Sequence, residues 1–578
     1  MLPPRPEHPD PLLVRDDWLN LNGEWDFAAD PRGVGEAERW YLRESLPDRI
    51  VVPFCVESEA SGANQHANAR HFWYLRRFTI PESWRGKQIF LRLGAADYRC
   101  MGYVNGAPVG VHDGGFTPMT WRIDQALRAG ENVAVLHVVE TRDGRLPRGK
   151  QTHLPFRYAV FYRPFSGIWQ TVWLEARGAT HVAAAHGVAT ADGFVIHVTI
   201  GGEPRGELTI ALTHPDGEPD AAVTAPVTAR QMSLLLTPQR KAWWSPDQPQ
   251  LYTVEYTIRD GDNAIDRATG YAGLRTIAVR DGRVLLNGEP FYQKLVLYQA
   301  YYPRGWATAI DDDTLRADME LIKSFGFNGL RVHQTLADPR LLYWCDRLGL
   351  VVWGEMPSAF VLSRVDRPAF ERMLREAVAR DRGRPCVITW VLFNESWGIL
   401  DILLSRGARE WVRRMVALCR EIDPSRPVID NSGFDHLDTD VLDVHHYLTD
   451  PRRIRELYAA LAAPATMFSS FLRNLYFVAP NRFVKSAFAP GGEFRGQPVM
   501  VSECGGHGFG PYGGGKMTLA DSLAQVIDLL AEHPHLQGFA YTQFCDVEQE
   551  RNGLCDFARQ PKIDPADVRR ILAKLPRD

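Results

Sequence analysis

The chain has 578 residues, of which 45% are hydrophobic and 24% charged, and its formal net charge at pH 7 is −4. This is the composition of a folded globular protein, and the length exceeds what one hydrophobic core serves, so about three domains are expected. The near balance of 66 basic and 70 acidic residues provides no attraction to polyanions, which argues against a nucleic-acid partner.

The N-terminal stretch MLPPRPEHPDPLLVRDDW has no apolar run of signal-peptide length, and no later stretch approaches the ~20 apolar residues of a membrane span. We therefore expect a cytoplasmic protein without a membrane partner. The eight cysteines are scattered, with no CxxC spacing. Buried, reduced thiols are expected in preference to disulfides or a zinc site.

The first half of the chain is β-rich. Short alternating segments separated by turns such as Asn105-Gly106 predict a β-sandwich over 1–178. Its many aromatic residues either form the core of the sandwich or present rings that stack on the faces of sugars. The alternation continues over 179–279, the size of an immunoglobulin-like sandwich. No catalytic constellation lies there, which indicates a spacer.

From 280 to 578 the pattern changes to strands alternating with helices, which predicts parallel βα units. The eight predicted strands cover 290–297, 329–333, 350–355, 387–394, 427–431, 441–446, 498–503 and 536–544. Eight such units in about 300 residues fit a (β/α)8 barrel. The long aromatic segment 464–497 leads into the seventh strand and is interpreted as a lid or rim over the pocket, or as a surface insertion.

Two glutamates stand where predicted barrel strands end: Glu395 after the fourth strand and Glu503 at the end of the seventh. Barrel enzymes place their chemistry at this end of the strands, and paired carboxylates there suggest hydrolysis of a glycosidic bond. One carboxyl must stay protonated to give its proton to the leaving oxygen, while the other must be an anion. Glu395, with Phe393 and Trp397 as sequence neighbours, suits the protonated role.

Over all three predicted domains the chain resembles glycoside hydrolase family 2, the group of β-galactosidases, β-glucuronidases and β-mannosidases. The resemblance implies a jelly-roll sugar-binding domain, an immunoglobulin-like domain and a catalytic TIM barrel. Together its motifs are specific: LNLNGEW (19–25), YVNGAPVG (103–110), GGFTP (114–118), SGIWQTVW (166–173), WSPDQPQLY (244–252), GLR (273–275) and Asn394-Glu395.

For mechanism, the resemblance implies a retaining exo-β-glycosidase that works by double displacement through a covalent glycosyl-enzyme intermediate. Glu395 corresponds to the general acid/base and Glu503 to the nucleophile. A retaining pair predicts carboxyl groups roughly 5 to 5.5 Å apart, against roughly 6.5 to 9.5 Å for an inverting pair. The other predicted substrate-binding residues surround the same barrel mouth: Asn394, Arg331, His333, Tyr447, His446, Glu355, Trp397 and Gln543.

Several of these residues have more than one interpretation. Asn394 is expected to bond the sugar 2-hydroxyl, and Arg331 to steady the nucleophile. His333 is either a sugar ligand or a structural histidine. Tyr447 is either a hydrogen-bond donor to the nucleophile or a core residue, and Glu355 either a sugar ligand or a member of a charge network.

The sugar pocket departs from the family pattern. The β-glucuronidases carry Asn-x-Lys near the chain end, whereas 551–557 here contains no lysine, and strand eight ends in YTQFCD (541–546) in place of the usual tryptophan. We therefore expect a β-galactosidase-like specificity ahead of a β-glucuronidase-like one, unless Lys516 or Arg559 supplies the missing cation. His445, His446 and His507 lack a known ligand spacing, so neither a metal nor another cofactor is expected.

Two alternatives remain on the same fold. One is a carbohydrate-binding protein without turnover, and the other a transglycosidase that uses the same covalent intermediate. In every case the expected partner is a carbohydrate, a β-glycoside for the enzymes. No stretch of the sequence identifies an interface, so a homo-oligomer is left open.

Overall fold

The computed structural model describes residues 3–63, 69–154, 156–464, 475–477, 484–508 and 517–576. Within these ranges the chain forms two antiparallel β-sandwiches followed by a parallel barrel. None of the described helices combines the length and the apolar character needed to cross a membrane.

The first sandwich packs one sheet of order β1-β12-β5-β9 against another of order β3-β2-β4-β10-β7-β8, with a short β11-β6 pair beside them. Alternate residues of β5 and β9 are buried, as a sheet with one face on the core requires. Its strands are β1 (Trp18–Asn20), β2 (Gly23–Ala29), β3 (Asp48–Val52), β4 (His71–Thr79), β5 (Gln88–Leu93), β6 (Ala96–Asp97), β7 (Arg99–Val104), β8 (Ala107–Asp113), β9 (Met119–Arg122), β10 (Glu131–Val139), β11 (Gly167–Ile168) and β12 (Val172–Arg177).

The second sandwich has sheets of order β13-β14-β17 and β16-β15-β18-β19. A small antiparallel sheet, β20-β21-β22, follows it and leads into the barrel. These strands are β13 (Thr180–Ala189), β14 (Phe194–Gly202), β15 (Glu207–Thr213), β16 (Pro219–Pro226), β17 (Gln231–Leu236), β18 (Tyr252–Asp260), β19 (Asn263–Ala272), β20 (Ile277–Arg280), β21 (Arg283–Leu286) and β22 (Glu289–Pro290).

The barrel strands are parallel neighbours in the order β27-β26-β25-β24-β23-β32-β31-β28, which leaves β27 and β28 at the two ends of a nearly closed cylinder. A side-chain hydrogen bond from Ser432 to Asp443 connects these two end strands. A short hairpin, β29-β30, stands apart. The strands are β23 (Gln293–Tyr298), β24 (Gly329–Val332), β25 (Val351–Glu355), β26 (Val387–Asn394), β27 (Val428–Ser432), β28 (Leu442–His445), β29 (Leu475–Phe477), β30 (Val484–Ser486), β31 (Val499–Gly505) and β32 (Leu536–Thr542).

Every described α-helix begins at a residue whose side chain caps it, and four have proline in the first turn, the two signals that start helices in sequence. The helices are α1 (Asp312–Ser324), α2 (Pro339–Leu348), α3 (Arg367–Asp381), α4 (Arg406–Ile422), α5 (Pro451–Ala460), α6 (Leu519–Ala531) and α7 (Pro565–Leu572).

The predicted fold class, two sandwiches and a (β/α)8 barrel, is confirmed, whereas the domain boundaries at 178 and 279 stay a prediction. The first barrel strand begins at Gln293 instead of at 290, because Glu289–Pro290 pairs with β21. A proline has no N–H for a central ladder and suits such a short edge strand.

The three units share buried contacts. The N-terminal segment, predicted as part of the first sandwich, pairs Val14 with Thr269 and buries Leu13 in the core of the second. Trp244 of the second sandwich is fully buried among barrel side chains, and its indole Nε1 donates to the Asp346 carbonyl at 2.8 Å. Arg275 donates to the carbonyls of Pro385 and Val387, where the strand that precedes Glu395 begins.

Replacing Trp244 by alanine is therefore expected to lower the free energy of unfolding by about 3 to 5 kcal/mol, because it leaves a large buried cavity and an unpaired carbonyl. Urea denaturation followed by circular dichroism measures this loss. Leu404→Ala, at a residue that is 89% exposed, is the control and should change stability by less than about 0.5 kcal/mol. Equal effects of the two substitutions would contradict the anchoring role of Trp244.

Candidate active site

A backbone kink at the end of β26 turns Glu395 into the barrel mouth. Glu395 and Ser396 have φ values of 50° and 61°, a left-handed conformation that non-glycine residues hold only when their surroundings enforce it. Their N–H groups donate to the Ser432 carbonyl and to Asn431 Oδ1. Phe393 stacks on Phe370 of α3 at 4.5 Å. It therefore faces away from the mouth, opposite to its neighbour Asn394, because successive strand residues point to opposite faces.

Glu503, in β31, is held as an anion by four polar side chains. Tyr447 donates a short hydrogen bond to its Oε2, and Arg331 Nη1 lies 3.2 Å from its Oε1. Burial raises the pKa of Glu503, but interactions with His445, Arg331 and His333 and the Tyr447 hydrogen bond outweigh it, so that this pKa falls to about 2.

The two carboxylates face each other across His445. One oxygen of Glu395, one of Glu503 and a His445 ring nitrogen all lie within 4.8 Å of one another. The Glu395 side chain is 25% exposed and that of Glu503 is 6% exposed, so a ligand entering the mouth meets both. Such a trio has the atoms of a metal site, but the Arg331 guanidinium 3.2 Å from Glu503 repels a cation there.

His445 was singled out from sequence only as an unconvincing metal ligand, yet it connects the pair. Its Nε2 is 3.0 Å from Arg331 Nη1, and its Nδ1 is 3.0 Å from Glu395 Oε1 and 3.6 Å from Glu503 Oε1. Because a guanidinium only donates, Nε2 is the acceptor in this contact, which assigns the ring proton to Nδ1. The Nδ1–H therefore donates to Glu395.

Arg331 is the centre of the network. From a fully buried position it donates to Glu355 Oε2 at 2.7 Å through Nε and to Asn394 Oδ1 at 2.7 Å through Nη2. His333 Nδ1 lies 3.2 Å from Glu355 Oε1 and 3.9 Å from Glu503 Oε1. Burial raises the pKa of Glu355, but Arg331 and His333 reverse the shift and lower it. The Glu355 carboxylate thus balances the charge of Arg331, and the His333 ring lies between the carboxylates of Glu355 and Glu503.

His446 is not brought to the site. Its side chain points away from the carboxylates, and its Nε2 lies 2.7 Å from the Tyr458 hydroxyl of α5. Burial lowers the pKa of His446 to about 3, so the ring is neutral. Asp443 and His445 face the barrel interior, and the next residue, His446, points to the opposite face, as alternation along a strand requires.

The first sandwich contributes a rim to the barrel mouth, which the sequence did not reveal. Phe161, in the loop before β11, stacks on Trp397 at 4.9 Å and lies 5.3 Å from Phe360. Gly149 of the same loop has φ +64°, and a Cβ there would come within 2.2 Å of the Gln334 carbonyl. Only glycine permits this close approach, so the rim is fixed to the barrel by backbone contact.

Amide side chains occupy the mouth where β23 and β32 end. Gln299 donates to Gln543 at 2.8 Å, and Gln543 donates to Asn552 at 2.8 Å. Gln299 Oε1, Gln334 Oε1 and Asn552 Nδ2 are buried without a hydrogen-bond partner among the described residues. Buried polar atoms of this kind need partners, and sugar hydroxyls supply both donors and acceptors.

Lys150 and Arg559 are each paired with a carboxylate. Lys150 of the first sandwich lies 3.3 Å from Glu550, whose carboxylate also accepts from Tyr162. Arg559, considered from sequence as a substitute base, contacts Asp318 at 3.3 Å. Lys516, the other substitute, lies outside the described residues.

Only part of the predicted lid is described. Lys485 lies over the Phe434 ring at 4.3 Å, and the carbonyls of Ser486 and Ala487 accept from Asp435 and His436. These contacts border the mouth beside β27. Residues 465–474 and 478–483 are outside the described part of the chain, so the lid stays a prediction.

Three family models match the chain. They are the sugar binding domain of glycosyl hydrolases family 2 over 19–176, the glycosyl hydrolases family 2 domain over 194–275, and the family 2 TIM barrel domain over 277–552.

Relatives and solved structures agree with these matches. A β-glucuronidase of Paenibacillus borealis is 28% identical over 71% of this chain and 72% of its own length. A β-galactosidase of Thermoanaerobacter pseudethanolicus is 26% identical over 71% of this chain but only 55% of its own length. The crystal structure of Ruminococcus gnavus β-glucuronidase superposes with a TM-score of 0.77 over 97% of this chain and 98% of that one, at 19% identity; this likeness concerns the fold.

The pKa of Glu503 predicts how stability depends on pH. A carboxyl with a pKa of about 2 in the folded protein and 4.5 when unfolded stabilises the fold above pH 4.5, and the contribution is lost as pH falls through 2. We expect it to be about 3 kcal/mol at pH 5, with more than half lost by pH 3. Glu503→Gln removes the titration, so the difference in unfolding free energy between the two proteins should shrink over this range. A difference independent of pH would contradict the assignment.

Proposed function

The chain belongs to glycosyl hydrolase family 2, and on this premise we propose that it is a retaining exo-β-glycosidase in which Glu395 is the acid/base and Glu503 the nucleophile. The observation that carries the proposal is the approach of their oxygens to within 4.8 Å. Retaining enzymes hold their carboxyl groups roughly 5 to 5.5 Å apart, and inverting enzymes need roughly 6.5 to 9.5 Å to admit a water.

In the first step, Glu503 attacks the anomeric carbon while Glu395 gives its proton to the glycosidic oxygen. The bond to the aglycone breaks, a carboxylate ester to the sugar forms, and the aglycone leaves as an alcohol or phenol. The low pKa of Glu503, about 2, keeps the attacking group ionised. The partial exposure of Glu395 suits a group that must reach the leaving oxygen and, later, a water.

In the second step, Glu395 takes a proton from water, and the resulting oxygen nucleophile displaces Glu503 from the anomeric carbon. Two inversions give overall retention. His445 is a positioning residue in this scheme. The Nδ1–H of His445, 3.0 Å from Glu395 Oε1, holds the Glu395 carboxylate in position while it accepts the proton from water.

Asn394 is proposed to bind the sugar 2-hydroxyl. Its Oδ1 is occupied by Arg331 at 2.7 Å, which fixes the amide plane and leaves the Nδ2 donors for a ligand. Phe161, stacked on Trp397, forms an aromatic wall suited to the aglycone. The specificity for the aglycone would then depend on a loop of the first sandwich.

For the glycone, we infer a neutral, galactose-type sugar. The amides of Gln299, Gln543 and Asn552 suit hydroxyl groups, and Lys150 and Arg559 are both paired with carboxylates. A β-glucuronide is the second candidate, supported by the relatives named β-glucuronidases and by the burial of Lys150 beside this corner. A uronate would have to displace Glu550 from Lys150.

Kinetics of single variants test the catalytic roles. Glu503→Gln should reduce the hydrolysis of 4-nitrophenyl β-glycosides to below about a thousandth, because the covalent step is lost. Glu395→Gln should slow substrates with poor leaving groups by about 10²- to 10⁴-fold and activated aryl substrates by less. Glu410→Gln, on the exposed surface of α4, is the control.

Proton NMR of the first-formed sugar distinguishes the alternatives. Retention requires that the β-anomer appear before mutarotation. An α-anomer would reject the retaining mechanism, sugar binding without turnover would identify a carbohydrate-binding protein, and oligosaccharide products would identify a transglycosidase.

A panel of 4-nitrophenyl glycosides tests the glycone. We expect kcat/KM for the β-galactoside to exceed that for the β-glucuronide by about ten-fold or more, the effect of one charged hydrogen bond left unmade. The double variant Lys150→Met, Glu550→Gln removes the ion pair without leaving an uncompensated charge, and should leave galactoside hydrolysis within about three-fold of the native rate. Faster glucuronide hydrolysis that this double variant abolishes would favour the uronide instead.

A further inference from the structure

A cavity of about 310 Å³ lies where the three structural units meet, away from the Glu395–Glu503 pair. The N-terminal segment, both sandwiches and the α2 and α3 region of the barrel all contribute to its wall. The wall contains five arginines and one glutamine: Arg5, Arg92, Arg340, Arg380, Arg384 and Gln170. No part of the proposed catalytic machinery shares this wall.

Four nitrogens on these residues are buried without a hydrogen-bond partner among the described residues: Arg92 Nε, Arg380 Nη1, Arg384 Nε and Gln170 Nε2. Arg384 is 2% exposed and Gln170 6% exposed, so bulk water does not satisfy them. Each unmatched group is a donor, and buried donors left without acceptors are strongly unfavourable.

The acceptors of the same wall are already engaged. Asp338 accepts from Arg5 at 3.1 Å and caps α2 through Arg340 N at 2.8 Å. Asp10 lies 3.3 Å from Arg92, and Glu376 accepts from Thr117 at 2.5 Å. The wall therefore offers spare donors while its carboxylates are occupied.

We propose that this cavity binds a small polyvalent oxyanion of the phosphate or sulfate type. Such an anion presents several acceptor oxygens at once, which matches the four unpartnered donors. The bound ion would connect both sandwiches to the barrel and stabilise their arrangement.

Titration calorimetry with inorganic phosphate tests the proposal on the full-length protein, with sodium chloride at equal ionic strength as the reference. We expect saturable binding and a rise in the midpoint of thermal unfolding that chloride does not produce. An absence of saturable binding up to 10 mM phosphate, taken as roughly the weakest affinity of interest, would overturn it, since the cavity would then hold water only.

Two substitutions of one residue locate the site. Gln170 makes no described side-chain hydrogen bond. Gln170→Leu therefore removes a donor without breaking a described hydrogen bond, and it should weaken phosphate binding about ten-fold. Gln170→Glu adds a negative charge and should abolish it. Gln248→Glu, the same substitution at an exposed position outside the cavity wall, should bind phosphate as the native protein does.

Unchanged phosphate affinity in both Gln170 variants would place the anion elsewhere and overturn the proposal. Hydrolysis of aryl glycosides without phosphate should remain native in both, because Gln170 touches none of the proposed catalytic groups. The outcome is thus independent of the proposed glycosidase activity.

Discussion

One buried cation organises the barrel mouth. The guanidinium of Arg331 is fully buried, and burial by itself disfavours its charge; Glu355 and Glu503 outweigh this effect and raise its pKa. A buried charge of this kind persists only when it is matched and all its donors are used. Satisfying Arg331 therefore fixes Glu355, Glu503, Asn394 and His445 relative to one another. The positions of the carboxylates follow from the requirement to match this one charge.

The same requirement separates the chemistry of the two glutamates. Glu503 is nearly enclosed and surrounded by donors, which holds it as an anion. Glu395 is kept out of this enclosure by the left-handed turn at the end of β26, and it meets both solvent and His445. The different roles proposed for these two residues rest on this difference in surroundings.

Both sandwiches make side-chain contacts with the barrel. Phe161 reaches the mouth, Lys150 pairs with Glu550 beside it, and Trp244 and Arg275 attach the second sandwich to the barrel near the start of β26. A change in domain arrangement would therefore alter the rim of the pocket. The cavity at the three-way junction, with its unmatched donors, lies where a bound anion would act on that arrangement.

Local sequence patterns were sufficient to predict much of this fold. The alternation of apolar and polar residues marked the sandwiches, and the fourth barrel strand has the predicted bounds, because the period of a pattern is a local property. Glu395 and Glu503 at strand ends, and Tyr447 close to Glu503, also follow from the sequence once parallel strands share one mouth. Only the tertiary structure decided the direction of individual side chains and the contacts between residues that are far apart in the sequence. Which face of β28 looks into the barrel decides that His445 is inside and His446 outside, and Phe161 meets Trp397 across more than two hundred residues. Neither leaves a local signal, since the face that looks inward depends on how neighbouring strands pair and domain contacts depend on complementary surfaces.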